Sequence, residues 1–166
     1  MSDYVSDGRL KIVDALVTAE NVNEVLDEAG VPATFDYLSL DIDYNTSHVW
    51  ARMNRRARVS CIEYNAHMPP SMLISVPYDP HGTWDGSHWF GASLKTLERI
   101  GATKGLALVD CDLMGVNAFF VAAEEAVGRF REPFDAETHF EPPRFHVLGT
   151  ANHFALSRPR AWSVQD

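Results

Sequence analysis

The sequence predicts an α/β domain: a mostly parallel sheet in a three-layer sandwich, closed by a C-terminal antiparallel hairpin. Three observations lead there. Short apolar runs alternate with stretches whose apolar residues recur at helical spacing, the pattern of strands connected by helices. The last two apolar runs are separated only by Cys111 to Gly115, which reads as a hairpin turn. The chain has 166 residues, 46% of them hydrophobic and 22% charged. That suits one globular domain with one core.

Taken in order, Leu10 to Val17 is an apolar run and a first strand candidate. Thr18 opens a helix with acids in its early turns and Val22, Val25, Leu26 and Ala29 on one face; Gly30 and Pro32 stop it. Phe35 to Ile42 is the next strand. Asp43 to Thr46 leads into a helix carrying His48, Val49, Trp50 and Met53. The basic run Arg52 to Arg58 reads as the solvated end of that helix. Arg58 to Tyr64 is a strand. Residues 65–87 form a long loop with repeated proline and glycine turns, and a loop of that length is expected to be functional or a lid. Gly91 to Ile100 is a helix with Leu94, Leu97 and Ile100 inward. Leu106 to Asp110 and Asn117 to Val121 are the hairpin strands. Residues 1–123 thus make the domain, and 124–166 are expected to be an irregular tail packed on or near it.

Charge and cysteine usage narrow the function. Fourteen basic against 23 acidic residues give a formal charge of −9. Such a chain is expected to bind neither nucleic acid nor an anionic membrane. Cys61 and Cys111 lie in apolar runs outside any CxxC pair, as buried thiols in a reducing compartment would. Met1 to Arg9 is polar with no long apolar run behind it, so neither a signal peptide nor a membrane span is expected, and the protein reads as cytoplasmic.

Five segments carry a family resemblance: Phe35–Asp43 (FDYLSLDID), Cys61–Pro70 (CIEYNAHMPP), Val76–Pro80 (VPYDP), Trp84–Asp112, and Gly115–Val121 (GVNAFFV). Together they resemble bacterial class I methyltransferase-like proteins related to the FkbM type. The resemblance covers about residues 10–122 and is most specific from Trp84 to Val121. It implies a truncated Rossmann-like fold holding the fourth to seventh strands of the methyltransferase sheet. S-adenosylmethionine is not expected as cofactor. Its site needs a glycine-rich turn after a first strand, and nothing before Asp36 supplies one.

In open α/β sheets ligands bind beyond the carboxyl ends of the strands. Asp41 and Asp43 are two apart and share a side. Glu63, Tyr64, Asn65 and His67 lie at or past the next strand exit, and His48 begins the helix after Asp43. The long loop adds Asp79, His81, Asp85 and His88. Imidazole and carboxylate donors together suit a divalent metal, with non-haem Fe(II) favoured and Asp43, His48, Glu63 and His88 as ligands. Asp41, Tyr64, Asn65 and His67 are the catalytic candidates, the histidine as proton shuttle. Tyr44, Tyr78, Asp79, Trp84, Asp85 and Trp89 are candidates for lining a substrate pocket. Blander roles stand beside these. Asp41 reads equally well as a helix cap or an arginine partner, His81 and His139 as solvated, and Trp50, Phe90, Phe119 and Phe120 as core. The expected function is a metal-dependent enzyme acting on a small molecule. Two alternatives stay open: a methyltransferase remnant completed by a partner, and a non-catalytic interaction subunit. An exposed sheet edge could also support a homodimer.

Overall fold

The computed structural model describes residues 2–144 and 162–164. A short helix α1 (Ser2–Ser6) and helix α2 (Val22–Ala29) precede strand β1 (Thr34–Leu40). Helix α3 (Thr46–Arg52) leads to β2 (Arg56–Glu63), followed by a two-residue strand β3 (Ile74–Ser75) and helix α4 (Leu94–Thr103). Strands β4 (Leu106–Cys111) and β5 (Asn117–Ala122) come next, then the one-turn helices α5 (Ala123–Ala126) and α6 (Ala136–His139), and β6 (Ser163–Val164).

The main sheet has the order β1-β2-β5-β4. The chain is therefore a mixed α/β protein, but its sheet is not mostly parallel. Only β1 and β2 pair in parallel; β5 runs antiparallel to both β2 and β4. The reason is local. A tight turn can join only antiparallel strands, and this hairpin folds β5 back into the space between β2 and β4. Asp112 builds the turn: its Oδ1 accepts from the backbone N–H of Met114 and Val116, and its Oδ2 from the N–H and Nδ2 of Asn117.

Side chains alternate across the strands and divide the core in two. Leu40, Ile62, Leu108, Ala118 and Phe120 face α3 and α4 and form the larger cluster with Val49, Trp50, Leu94 and Leu97. Trp50 meets Phe120 at 4.9 Å between ring centroids. Gly101 lets α4 come this close, because a Cβ there would lie 2.9 Å from the Phe120 ring. On the other face, Val109, Val121 and Ala126 pack with Val59, Ala107, Phe119 and Phe134. Among the described residues that face carries α5 and the chain near Phe134, not the second helical layer the alternation predicts.

Leu10 to Val17 is not a strand. Leu10, Ile12, Val13 and Leu16 are exposed, and no described strand pairs with the segment. An apolar run becomes a strand only where an edge accepts its backbone and a face buries its side chains. Helix α2 starts at Val22 and ends on Gly30 at φ 75°, the left-handed cap expected of a glycine. Helix α4 starts three residues after Gly91, because the Ser93 side chain caps it by accepting from the N–H of Thr96.

The tail is part of the body as far as it is described. Ala126, Ala136 and His139 are buried, Glu98 accepts from the Ala136 N–H, and Asp135 caps α6 through Thr138. Strand β6 pairs with β3, and Trp162 lies on Trp89 with ring centroids 4.2 Å apart. The rest of the segment read as an irregular tail, 145–161 and 165–166, lies outside the described residues. Both cysteines are free and buried. No described helix is long and apolar enough to cross a membrane.

Candidate functional site

The parallel pair β1 and β2 ends at one rim, and three carboxylates meet there. Asp41 follows β1, Asp43 begins a 3-10 turn over Asp43–Asn45, and Glu63 is the last residue of β2. One oxygen from each lies within 4.8 Å of the others. The register explains the meeting. Leu40 is level with Ile62, so the residues beyond both strands emerge side by side. Asp43 holds a left-handed backbone, φ 56°, the one non-glycine residue described with positive φ. That conformation costs an L-residue roughly 1 kcal/mol.

The electrostatics are unbalanced. None of the three acids forms an ion pair with Lys or Arg among the described residues. Glu63 is only 9% exposed. Burial first, then the charges of Asp41 and Asp43, push its carboxyl up to about 9. Desolvation and the neighbouring Asp41 also raise Asp43. The Thr46 hydroxyl lies 3.4 Å from both Glu63 Oε2 and the Asp43 carbonyl oxygen.

Two cavities flank this rim and share Asp43 and Trp84. One, of about 120 Å³, is lined by Asp43, Glu63, Tyr64, Trp84, Phe90, Gly115 and Val116. The other, of about 250 Å³, lies between Leu16, Val17, Ile42, Asp43, Asn45 and Trp84 and the turn at 80–83. Asn45 is 5% exposed; its Nδ2 donates to the Asp79 carbonyl at 2.7 Å, while Oδ1 finds no partner.

The histidines do not join the acids in a ligand set. Among the described residues, the one group of three His, Cys, Asp or Glu ligand atoms close enough for a metal is Asp41, Asp43 and Glu63. His48 points its Nε2 at the Val76 carbonyl, 2.8 Å away, with its ring edge against Tyr78. His88 stacks on His67, ring centroids 3.9 Å apart. Burial and that neighbour lower His67 to about 4. The metal set expected from sequence thus loses His48 and His88 and gains Asp41.

Two catalytic candidates are buried and hydrogen-bonded to backbone groups. The Tyr64 hydroxyl donates to the Glu141 carbonyl at 2.6 Å, and the residue is 1% exposed. Burial pushes the phenol above its ordinary range. Asn65 is fully buried; its Nδ2 donates to the carbonyls of His88 and Phe90, and its Oδ1 accepts from the His67 N–H. That one amide fastens the long loop at both ends, so the loop is a bound segment rather than a free lid.

The pocket candidates divide likewise. Trp84 lines both cavities and donates from Nε1 to the Ser87 carbonyl. Tyr44 is the packing partner that requires Gly82, whose Cβ would fall 2.4 Å from its ring. The Tyr78 hydroxyl donates to Glu20 and accepts from the Ala19 N–H. Asp79 and Asp85 hold their own turns, through His81 and Ser87. Trp89 is buried beneath Trp162. Sequence reasoning missed Thr46, Asn45, Phe90 and Val116. Thr46 and Asn45 follow Asp43 directly, and that adjacency was the available signal.

Fold and site together define a mixed α/β protein with an acidic rim at the end of its parallel strand pair. Comparison with known protein families, curated proteins and solved structures finds no match for the chain.

Proposed function

We propose that the chain is a small-molecule-transforming protein whose rim binds a hard divalent cation through Asp41, Asp43 and Glu63. The observation that carries this reading is three carboxylates within 4.8 Å with no described basic partner. Such a set must take up a proton or a cation, because like charges this close cannot all ionise freely. An all-oxygen donor set suits Mg²⁺, Mn²⁺ or Ca²⁺ and displaces the Fe(II) reading, which needed imidazole. A cation bound there would polarise a ligand oxygen. The chain's own groups do the rest. Glu63 holds or releases a proton at its carboxyl, Thr46 steadies it, and Trp84 and Phe90 exclude water from the smaller cavity.

A truncated Rossmann-like origin is the accompanying proposal for the fold. Its support is the parallel pair β1–β2 joined by a helix, with α4 and an antiparallel hairpin after it.

Thermal unfolding in chelator and then in millimolar Mg²⁺, Mn²⁺ or Ca²⁺ tests the cation site. A saturable rise in Tm is expected for at least one ion in the native chain and none in Asp43→Asn. Identical curves with and without each ion in the native chain would end the proposal.

A further inference from the structure

Among the described residues, strand β1 stands at the end of the sheet and pairs with β2 alone. Its outer edge offers seven residues of backbone. Stable monomers protect such edges with proline, lysine, bulges or a covering segment. Thr34–Leu40 contains neither proline nor lysine and pairs with β2 without a bulge. Tyr37, in mid-strand, is 57% exposed.

The strand is also complementary to itself. In an antiparallel pairing centred on Tyr37, Thr34 faces Leu40, Phe35 faces Ser39, Asp36 faces Leu38 and Tyr37 faces Tyr37. No like charges stand opposite one another, and two aromatic rings meet at the axis, a favourable cross-strand pair. The strand's single charge, Asp36, already lies 3.4 Å from Arg58 of its own chain. Phe35, Tyr37 and Ser39 share one side of the strand. A two-fold contact of this kind closes on itself and leaves no further edge at β1.

We propose that β1 pairs antiparallel with β1 of a second copy about an axis at Tyr37, joining two four-stranded sheets into one of eight strands. A seven-residue ladder alone is smaller than the roughly 1,000 Å² of a specific interface. Apolar surface continues past the strand's end, where Leu16 is 68% exposed. Leu16 and Ile42, the latter just past the end of β1, line the larger cavity together. A contact at the low end of interface size is expected to be a weak one, of about micromolar affinity. Two chains of charge −9 repel at long range, so added salt tightens the dimer.

Sedimentation velocity across roughly 1 to 100 µM, spanning that expected affinity, tests the proposal. The mass should rise from the 18.6 kDa of one chain to twice that value. Tyr37→Lys sets two ammonium groups face to face and should weaken association at least tenfold while leaving thermal unfolding unchanged. The control Leu113→Lys, at a residue 75% exposed in the hairpin turn, should leave association unchanged. A monomer at every concentration overturns the proposal, as does a dimer indifferent to Tyr37→Lys. Should that variant fail to fold, amide exchange in the native chain decides. Protection of residues 34–40 must then rise with protein concentration, and concentration-independent exchange overturns the pairing.

Discussion

Replacing Glu63 with Gln removes the least favourable charge at the rim while keeping its shape and its acceptor for Thr46. The Glu63 carboxyl is raised from 4.5 to about 9. A folded-state value above the unfolded one means the native state holds the proton that the unfolded state has lost. Stability therefore falls as pH rises between 4.5 and about 9, by roughly 1.4 kcal/mol per pH unit from this group. At pH 8, about three and a half units above the unfolded value, the accumulated cost is roughly 5 kcal/mol. Urea unfolding of the chelated protein at pH 6, 7, 8 and 9 reads this slope directly. The native chain should lose stability across the series, and Glu63→Gln should be nearly flat and the more stable of the two at pH 8. A saturating cation should reverse the order, since the ionised carboxylate is then a ligand and the amide a poor one. A flat native profile in chelator, or a variant as steep as the native chain, would refute the reasoning.

Other changes separate site from scaffold. Asp43→Asn should keep the fold, since Asn tolerates the left-handed backbone, and abolish the cation-dependent rise in Tm. Asp43→Ala should lose the same response and a further ~1 kcal/mol of stability in urea, from the strained φ. Asn65→Asp exchanges two donors to carbonyls for a buried carboxylate; it should cost roughly 3 kcal/mol or more in urea and open residues 66–90 to limited proteolysis. Gly115→Ala meets the Pro142 carbonyl at 2.7 Å and keeps a φ of 72°; a loss of more than about 2 kcal/mol in thermal unfolding is expected.

Periodicity revealed the main elements because their side chains decide it. Val22, Val49, Leu94 and Leu97 recur at helical spacing and are buried where that spacing puts them. The hairpin was legible from the short polar turn at Asp112. What the sequence could not carry is who pairs with whom. Leu10 to Val17 has a strand's composition, yet no described strand pairs with it to make it one. The insertion of β5 between β2 and β4 is a tertiary outcome that no local pattern encodes. At the rim, the rule placing ligands past the strand ends picked out Asp41, Asp43 and Glu63, which the structure brings together. The structure does not bring His48, His67 or His88 into that group: His48, on α3, is turned to the Val76 carbonyl, and the His67 and His88 rings stack on each other. Tyr64 and Asn65 lie buried against backbone carbonyls, a placement that no local pattern announces. A polar residue beside a site and a polar residue holding a site together have the same local sequence.

The strand order also bears on the sequence of folding events. Strands β2 and β4 are not bonded to each other; β5 is the one strand bonded to both, and it is the last of the four to leave the ribosome. Until residues 117–122 are available, β1 and β2 can form only a two-stranded ribbon and β4 has no neighbour. Isolated strand pairs are marginal in water, so cooperative assembly must wait for the hairpin to close. A chain halted before Asn117 would possess every acid of the rim and nothing stable to hold them in place.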